Sequence, residues 1–303
     1  MANEISTVQS LKAVDAWIDV INANINGGVR TAFKSSRLKF AGSNINIGRA
    51  GNATSLPLQF PETGLITANT VIDFSQGAIT SSTENTHLAV QGNGFFMVVS
   101  PNEINPAGGS IGVSLQTEFF CTRDGEFHTN AQGLLVNANG WYLVCGPDAT
   151  TGVFGTANRR AVYNNVDNPA TNATLTAACK LTDFLANNFV GAVSASGAAL
   201  GVTAATCSLL KIKNLQQLKY TKFGSTVYDF GYVSGVRFFD PNVGIAGSTT
   251  ADATILNKSL EASNASMTQS VPELSLAQKL FSALTKVLQI SQTNTDAVLN
   301  LIR

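Results

Sequence analysis

Residues 89–100 read AVQGNGFFMVVS. Gly92, Asn93 and Gly94, with an apolar run behind them, look at first like a loop that cradles phosphate. A dinucleotide loop follows a strand and opens a helix, whose free N–H groups then hold the phosphate. Here the following residues are Phe95, Phe96, Met97, Val98 and Val99. Aromatic and β-branched side chains of this kind favour a strand. The stretch is therefore a turn feeding a strand, and it offers no helix N-terminus to a nucleotide.

The same character continues downstream. EFFCTRDGEFHTN (118–130) and GLLVNANGWYLVCG (133–146) alternate apolar runs with Asp124-Gly125 and Asn139-Gly140. Such dipeptides are strong short-range hairpin signals. Residues 88–146 thus read as a β-meander or small barrel. YTKFGSTVYDFGYVSGVRFFDPNVG (220–244) returns to strand character and is expected to rejoin it. Between them, residues 149–218 are rich in Ala, Thr, Gly and Ser and read as an inserted outer domain of mixed structure. Residues 41–56 and 241–258, rich in Gly, Asn, Ser and Thr, read as connectors.

The two ends have a different period. Leu11, Val14, Ile18, Ile21 and Ile25 are spaced to lie on one stripe of a helix, which Gly27 and Gly28 then stop. Trp17 and Val20 fall off that stripe and need a second partner. Near the other end Ser270 is a cap candidate, with Pro272 and Glu273 in a first turn. A heptad register follows through Leu274, Ala277, Phe281, Leu284, Leu288, Ser291, Thr295, Val298 and Ile302. Leu276, Leu280, Ala283, Val287 and Ile290 form another stripe. The N-terminal helix can cover one stripe but not both, and an exposed apolar strip of that length exceeds what soluble monomers usually carry.

The expected fold is α+β. N- and C-terminal helices pair as a coiled-coil-like hairpin (1–40 and 259–303). A mainly antiparallel β domain with connectors (41–148 and 219–258) lies between them and carries the insert (149–218).

Composition narrows the function. Of 303 residues, 44% are hydrophobic, enough for a core, while only 13% are charged and the net charge is zero. Ordinary soluble domains carry roughly 25% charged residues. A surface so poor in charge is expected to be covered by copies of itself. The neutral balance excludes nucleic acid, which needs clustered Lys and Arg. No apolar run is long enough to span a membrane as a helix, and the N-terminus lacks the pattern of a cleavable secretory signal. Cys121, Cys145, Cys179 and Cys207 show no zinc spacing. They are read either as buried thiols or as the disulfides Cys121–Cys145 and Cys179–Cys207.

Three stretches carry a resemblance. DVINANINGGVRTAFK (19–34) is similar to the N-terminal signature of the bacterial flagellar axial family, the rod and hook proteins, with Ala32 where that signature has Gly. FSQGAITSSTENTHLAVQGNGFFMV (74–98) and CTRDGEFHTNAQGLLVNANGWYLVCG (121–146) resemble its β-domain motif. Residues 260–303 resemble its closing helix. The resemblance implies export through the flagellar type III apparatus and assembly into a helical tube outside the cell or in its envelope. The implied partners are copies of the chain itself, other axial proteins, and junction or cap proteins.

The residues expected to carry self-assembly are Leu11, Val14, Trp17, Ile18, Ile21, Ile25, Leu274, Leu276, Leu280, Phe281, Leu284, Val287, Leu288, Val298 and Ile302. Ser291, Gln292, Asn294 and Asn300 are candidates to face a central channel. An enzyme is the first rival, through His87 or His128 with Asp124 and Glu126. Neighbours on a strand point to opposite faces, however, so no catalytic residue, cofactor or metal site is expected. An extracellular adhesin or a capping module of a surface appendage is the second rival.

Overall fold

The computed structural model describes residues 2–43, 46–49, 56, 58–60, 64–101, 119–145, 160–167, 179–186, 209–212, 214–229, 236–239 and 253–302. In chain order the elements are α1 (Ala2–Gly27), β1 (Ser36–Gly42), β2 (Asn46–Arg49), β3 (Leu58–Phe60), β4 (Leu65–Ile72), β5 (Ile79–Ser81), β6 (Leu88–Gly92), β7 (Phe96–Val99) and β8 (Phe119–Thr122). There follow β9 (His128–Thr129), β10 (Leu135–Val136), β11 (Tyr142–Cys145), β12 (Arg160–Tyr163), β13 (Cys179–Lys180), α2 (Leu181–Ala186) and β14 (Leu209–Ile212). The last are β15 (Lys219–Thr221), β16 (Gly224–Asp229), β17 (Val236–Phe239), β18 (Ala253–Asn257), β19 (Ser259–Glu261) and α3 (Met267–Ile302). The chain forms two compact units, one of residues 1–29, 34–73 and 265–303, the other of residues 30–33 and 74–264.

The first unit holds both terminal helices. Val14 and Ile21 of α1 and Ala277 of α3 are buried together, with Trp17, Ile18, Ile25, Leu274 and Leu284 packed around them. Helix α1 ends at the expected glycines, where the Gly28 N–H donates to the Ile25 carbonyl. It begins well before Leu11, however. Its early turns bury Ser6, Thr7 and Ser10 rather than apolar residues, so hydrophobic spacing gives no sign of them. The Ser10 hydroxyl donates to the Ser6 carbonyl at 2.8 Å and accepts the Leu65 N–H at 2.9 Å. Small side chains let the β4 end of the hairpin come close, and Gly64 lies directly on Ser6.

That hairpin pairs β1 with β4, antiparallel from Ser36–Ile72 to Gly42–Leu65, with a shift in register between Lys39 and Phe40. Phe40 meets Trp17 edge-on, 5.5 Å between ring centres. The second partner that Trp17 needs is therefore supplied by the same chain. Asn24 adds a reciprocal link, its amide donating to the Ser36 carbonyl and its oxygen accepting the Ser36 N–H.

Helix α3 starts at Met267, not after Ser270. Ser270 is not a cap: its N–H and its hydroxyl both donate to the Ser266 carbonyl. Pro272 accordingly sits within the helix. It is tolerated near the N-terminus because only one carbonyl there loses its partner.

The second unit is built on a nine-stranded sheet whose path runs β13, β12, β11, β7, β8, β16, β15, with β9 and β10 attached beside β11. The described residues between 88 and 145 supply strands β6 to β11, but a simple meander holds only for β9–β10–β11. Strand β7 is inserted between β11 and β8, and β6 leaves the large sheet to pair with β18. All of β7 is buried, because a central strand covered on both faces has no polar side. Around it pack Phe120, Phe127, Trp141, Leu143, Val162, Leu181, Phe184, Leu209 and Val227. Residues 253–257, read as part of a connector, are the strand that pairs with β6.

Asn139-Gly140 makes the expected hairpin. Asn137 accepts the N–H groups of Asn139 and Trp141 with its side chain, and Gly140 takes φ +79°. Asn130 repeats the device seven residues earlier, accepting from Gln132 and Leu134, with Gly133 at φ +87°. Each is an Asn-x-x-Gly loop closing a tight turn. Asp124-Gly125 makes no hairpin, because β8 and β9 do not pair with each other.

Candidate functional site

The first candidate is the face of α3 turned away from α1. A 36-residue helix spans about 54 Å. Leu274 and Leu284 are half-buried and Ala277 is fully buried against α1, while Leu288 is half-buried. Leu276, Leu280, Phe281, Val287, Ile290 and Val298 stand exposed within the chain, with Leu276 at 58% and Ile290 at 61%. Of the α1 positions singled out in the sequence, Val14 and Ile21 are buried, whereas Leu11, Trp17, Ile18 and Ile25 are half-buried. The side chain of Ile302 lies outside the described residues. Ser282, Thr285, Thr293 and Thr295 each donate their hydroxyl to a carbonyl one turn back along α3. The polar side of the helix thus satisfies its own hydroxyl donors.

The second candidate is the Arg123-Asp124-Gly125 loop after β8. Each residue has a distinct task. The Arg123 guanidinium is buried and donates to the carbonyls of Val90 and Gly92 and to the Glu261 carboxylate, 3.2 Å away. It also lies over the Phe95 ring, 5.2 Å from its centre. Burial pulls its pKa down and the Glu261 carboxylate opposes that. Asp124 accepts the Thr31 hydroxyl at 3.0 Å and the Glu126 N–H at 3.1 Å. Burial raises its pKa, and these hydrogen bonds work against the rise. Gly125 is met by the Leu88 carbonyl so closely that a Cβ would lie 1.5 Å from that oxygen.

This loop answers the puzzle of residues 89–100. The Gly92 N–H donates to the Gln76 side chain at 3.0 Å, Gln76 donates to the Val90 carbonyl, and Arg123 takes the Gly92 carbonyl. The backbone of the glycine turn is read by side chains of its own chain. Gly92 sits at φ +101°, which a side chain disfavours.

Neither histidine makes a catalytic set with the acids proposed for it. The Ser82 hydroxyl lies 2.6 Å from Nδ1 of His87 and accepts the Glu84 N–H, closing a turn. His128 is exposed, and Asp124 is engaged by Thr31 and the Glu126 N–H. Cys121 and Cys145 are buried free thiols, which overturns the Cys121–Cys145 pairing; Cys179 is buried as well, and its pairing with Cys207 falls on a residue outside the described ones. Among the described residues no helix is long and apolar enough to cross a membrane, and no group of His, Cys, Asp or Glu is arranged to hold a metal.

The described residues form a mainly antiparallel β protein with a helix at each described end, one of them half-uncovered. No protein-family model matches the chain. It is 32% identical to the flagellar hook protein FlgE of Helicobacter mustelae over 150 residues, 46% of this chain and 29% of that protein. It is 36% identical over 91 residues to FlgE of Brucella abortus biovar 1 and of Brucella suis biovar 1, covering 30% of this chain and 19% of each. Among solved structures, the Helicobacter pylori flagellar hook protein FlgE2 is 28% identical over 31% of this chain and 17% of that one, with a TM-score of 0.17. The chain thus spans less than a third of the length of these relatives. By that sequence likeness the chain is similar, over part of its length, to flagellar hook proteins.

Proposed function

We propose that this chain is a structural subunit that stacks with copies of itself into a helical tube of the flagellar hook or rod type. The observation that carries this reading is the uncovered apolar stripe of α3 beside the stripe that α1 occupies. Gly28, just past the end of α1, lies against Met267 at the start of α3, which supports an antiparallel helical hairpin. The hairpins of neighbouring copies cover Leu276, Leu280, Val287 and Ile290. The side bearing Ser291, Gln292, Asn294 and Asn300 then faces a channel. The assembly is an appendage outside the cell, and its other contacts are with further axial, junction or cap proteins. A contact that repeats along one direction without closing generates an open filament.

The magnitudes are sufficient. Fully burying a Val, Leu or Ile stabilises by about 1.5–3 kcal/mol. Covering the exposed half of Val287 and of Ile290 therefore contributes about 1 kcal/mol or more apiece. The test is the double variant Val287→Asp, Ile290→Asp. Leu284 is unsuitable because it packs on α1. Sedimentation and negative-stain microscopy of concentrated wild-type protein are expected to show tubes. The variant is expected to stay soluble with unchanged circular dichroism, its threshold concentration raised about thirtyfold or more, since each 1.4 kcal/mol is tenfold. Tubes at the wild-type threshold would refute the reading.

A further inference from the structure

We propose that the Arg123-Asp124-Gly125 loop is a clamp that fastens residues 30–33 to the β unit, with Arg123 and Asp124 as its positioning residues. The clamp is independent of assembly. Two separate grips converge on this short segment. Asp124 takes the Thr31 hydroxyl directly. Arg123 acts through Glu261, whose carboxylate it holds and whose backbone carbonyl accepts the Ala32 N–H at 2.8 Å. Glu261 is 1% exposed and also accepts the Gly77 N–H at 2.9 Å. Gly77 is pressed so closely on the Ala262 carbonyl that a side chain cannot fit there. The Asn264 N–H donates to the Phe33 carbonyl, and its amide reaches Ser75. Three distant stretches, 30–33, 75–77 and 261–264, are thereby tied around one buried ion pair.

The segment held this way is not one the backbone would adopt freely. Ala32 is fully buried at φ +52°, a conformation unfavourable for any residue with a Cβ. Neighbouring contacts have to impose it: one grip holds Thr31 just before it and the other takes the N–H of Ala32 itself. A buried ion pair adds little net stability over an apolar pair, but removing one partner strands the other charge. Its role here is to fix position.

Hydrogen exchange of the intact chain, read by mass spectrometry, tests this. In Asp124→Ala, peptides covering 30–33 are expected to exchange about tenfold faster or more, the loss of a hydrogen bond to a charged group. Peptides covering β7 and β8 should keep wild-type protection. Asp124→Asn retains an oxygen acceptor for Thr31 and should stay near wild type. Thr31→Val, on the other side of the same bond, should reproduce the Asp124→Ala pattern. Arg123→Met should release the same segment, and Arg123→Met with Glu261→Met should lose less fold stability than Arg123→Met alone. Unchanged exchange at 30–33 in both Asp124→Ala and Thr31→Val overturns the clamp. So does acceleration spread equally over β7 and β8.

Discussion

Replacing Gly125 by Ala should damage the β unit far more than replacing Gly140, although both glycines stand in Asx-Gly pairs. At Gly125 the new Cβ would sit 1.5 Å from the Leu88 carbonyl oxygen, against a floor of 3.0 Å for real contacts. The two backbones must part by about 1.5 Å. Leu88 is wholly buried, and its N–H donates to the Gly125 carbonyl at 3.0 Å. Separation leaves that donor without a partner, at about 1–3 kcal/mol, and loosens a fully packed Leu, worth about 1.5–3 kcal/mol. The expected loss is about 3–5 kcal/mol, a large share of the 5–15 kcal/mol typical of folded domains. At Gly140 nothing lies within 4 Å of the place a methyl would take, and only the positive φ is violated, which costs about 1 kcal/mol. Equilibrium urea unfolding, followed by Trp141 fluorescence in a Trp17→Phe background, measures both. A Gly125→Ala midpoint equal to wild type, or a larger loss for Gly140→Ala, would show that the close approach of Leu88 is not what requires glycine.

Asp124 gives a pH dependence of unusual sign. Its folded-state pKa is raised above the ordinary 3.8, by burial first and by the Glu126 charge, against Arg30 and the two hydrogen bonds. The folded state therefore holds the proton longer, and this residue's contribution to stability falls as pH rises through that window. Relative to wild type, Asp124→Asn should gain stability as the pH rises through and above the ordinary 3.8; a constant difference across that rise contradicts the shift. In a Cys207→Ser background, Cys121, Cys145 and Cys179 should resist a thiol reagent in the native protein and react on unfolding, since all are buried and burial raises the Cys121 thiol further. Rapid labelling of the native protein would refute that placement.

Sequence by itself determined the parts governed by periodicity and turn chemistry. The apolar spacing of α1 from Leu11 and of α3 from Leu274, the strand after Gly94, and the Asn139-Gly140 turn are all local signals. The second Asn-x-x-Gly loop at Asn130 was equally open to notice, since it repeats the first at a fixed interval. Tertiary structure decided what depends on distant backbone. Ser6 and Ser10 face the β1–β4 hairpin without leaving a hydrophobic period, so the first turns of α1 had no sequence mark. Asp124-Gly125 carries the composition of a hairpin yet serves a loop that grips Leu88, Thr31 and Glu261, because a glycine needed for close approach looks in sequence the same as one needed for a turn. The order β11–β7–β8 likewise follows from which strands can be covered on both faces, a property of the whole core and not of any single segment.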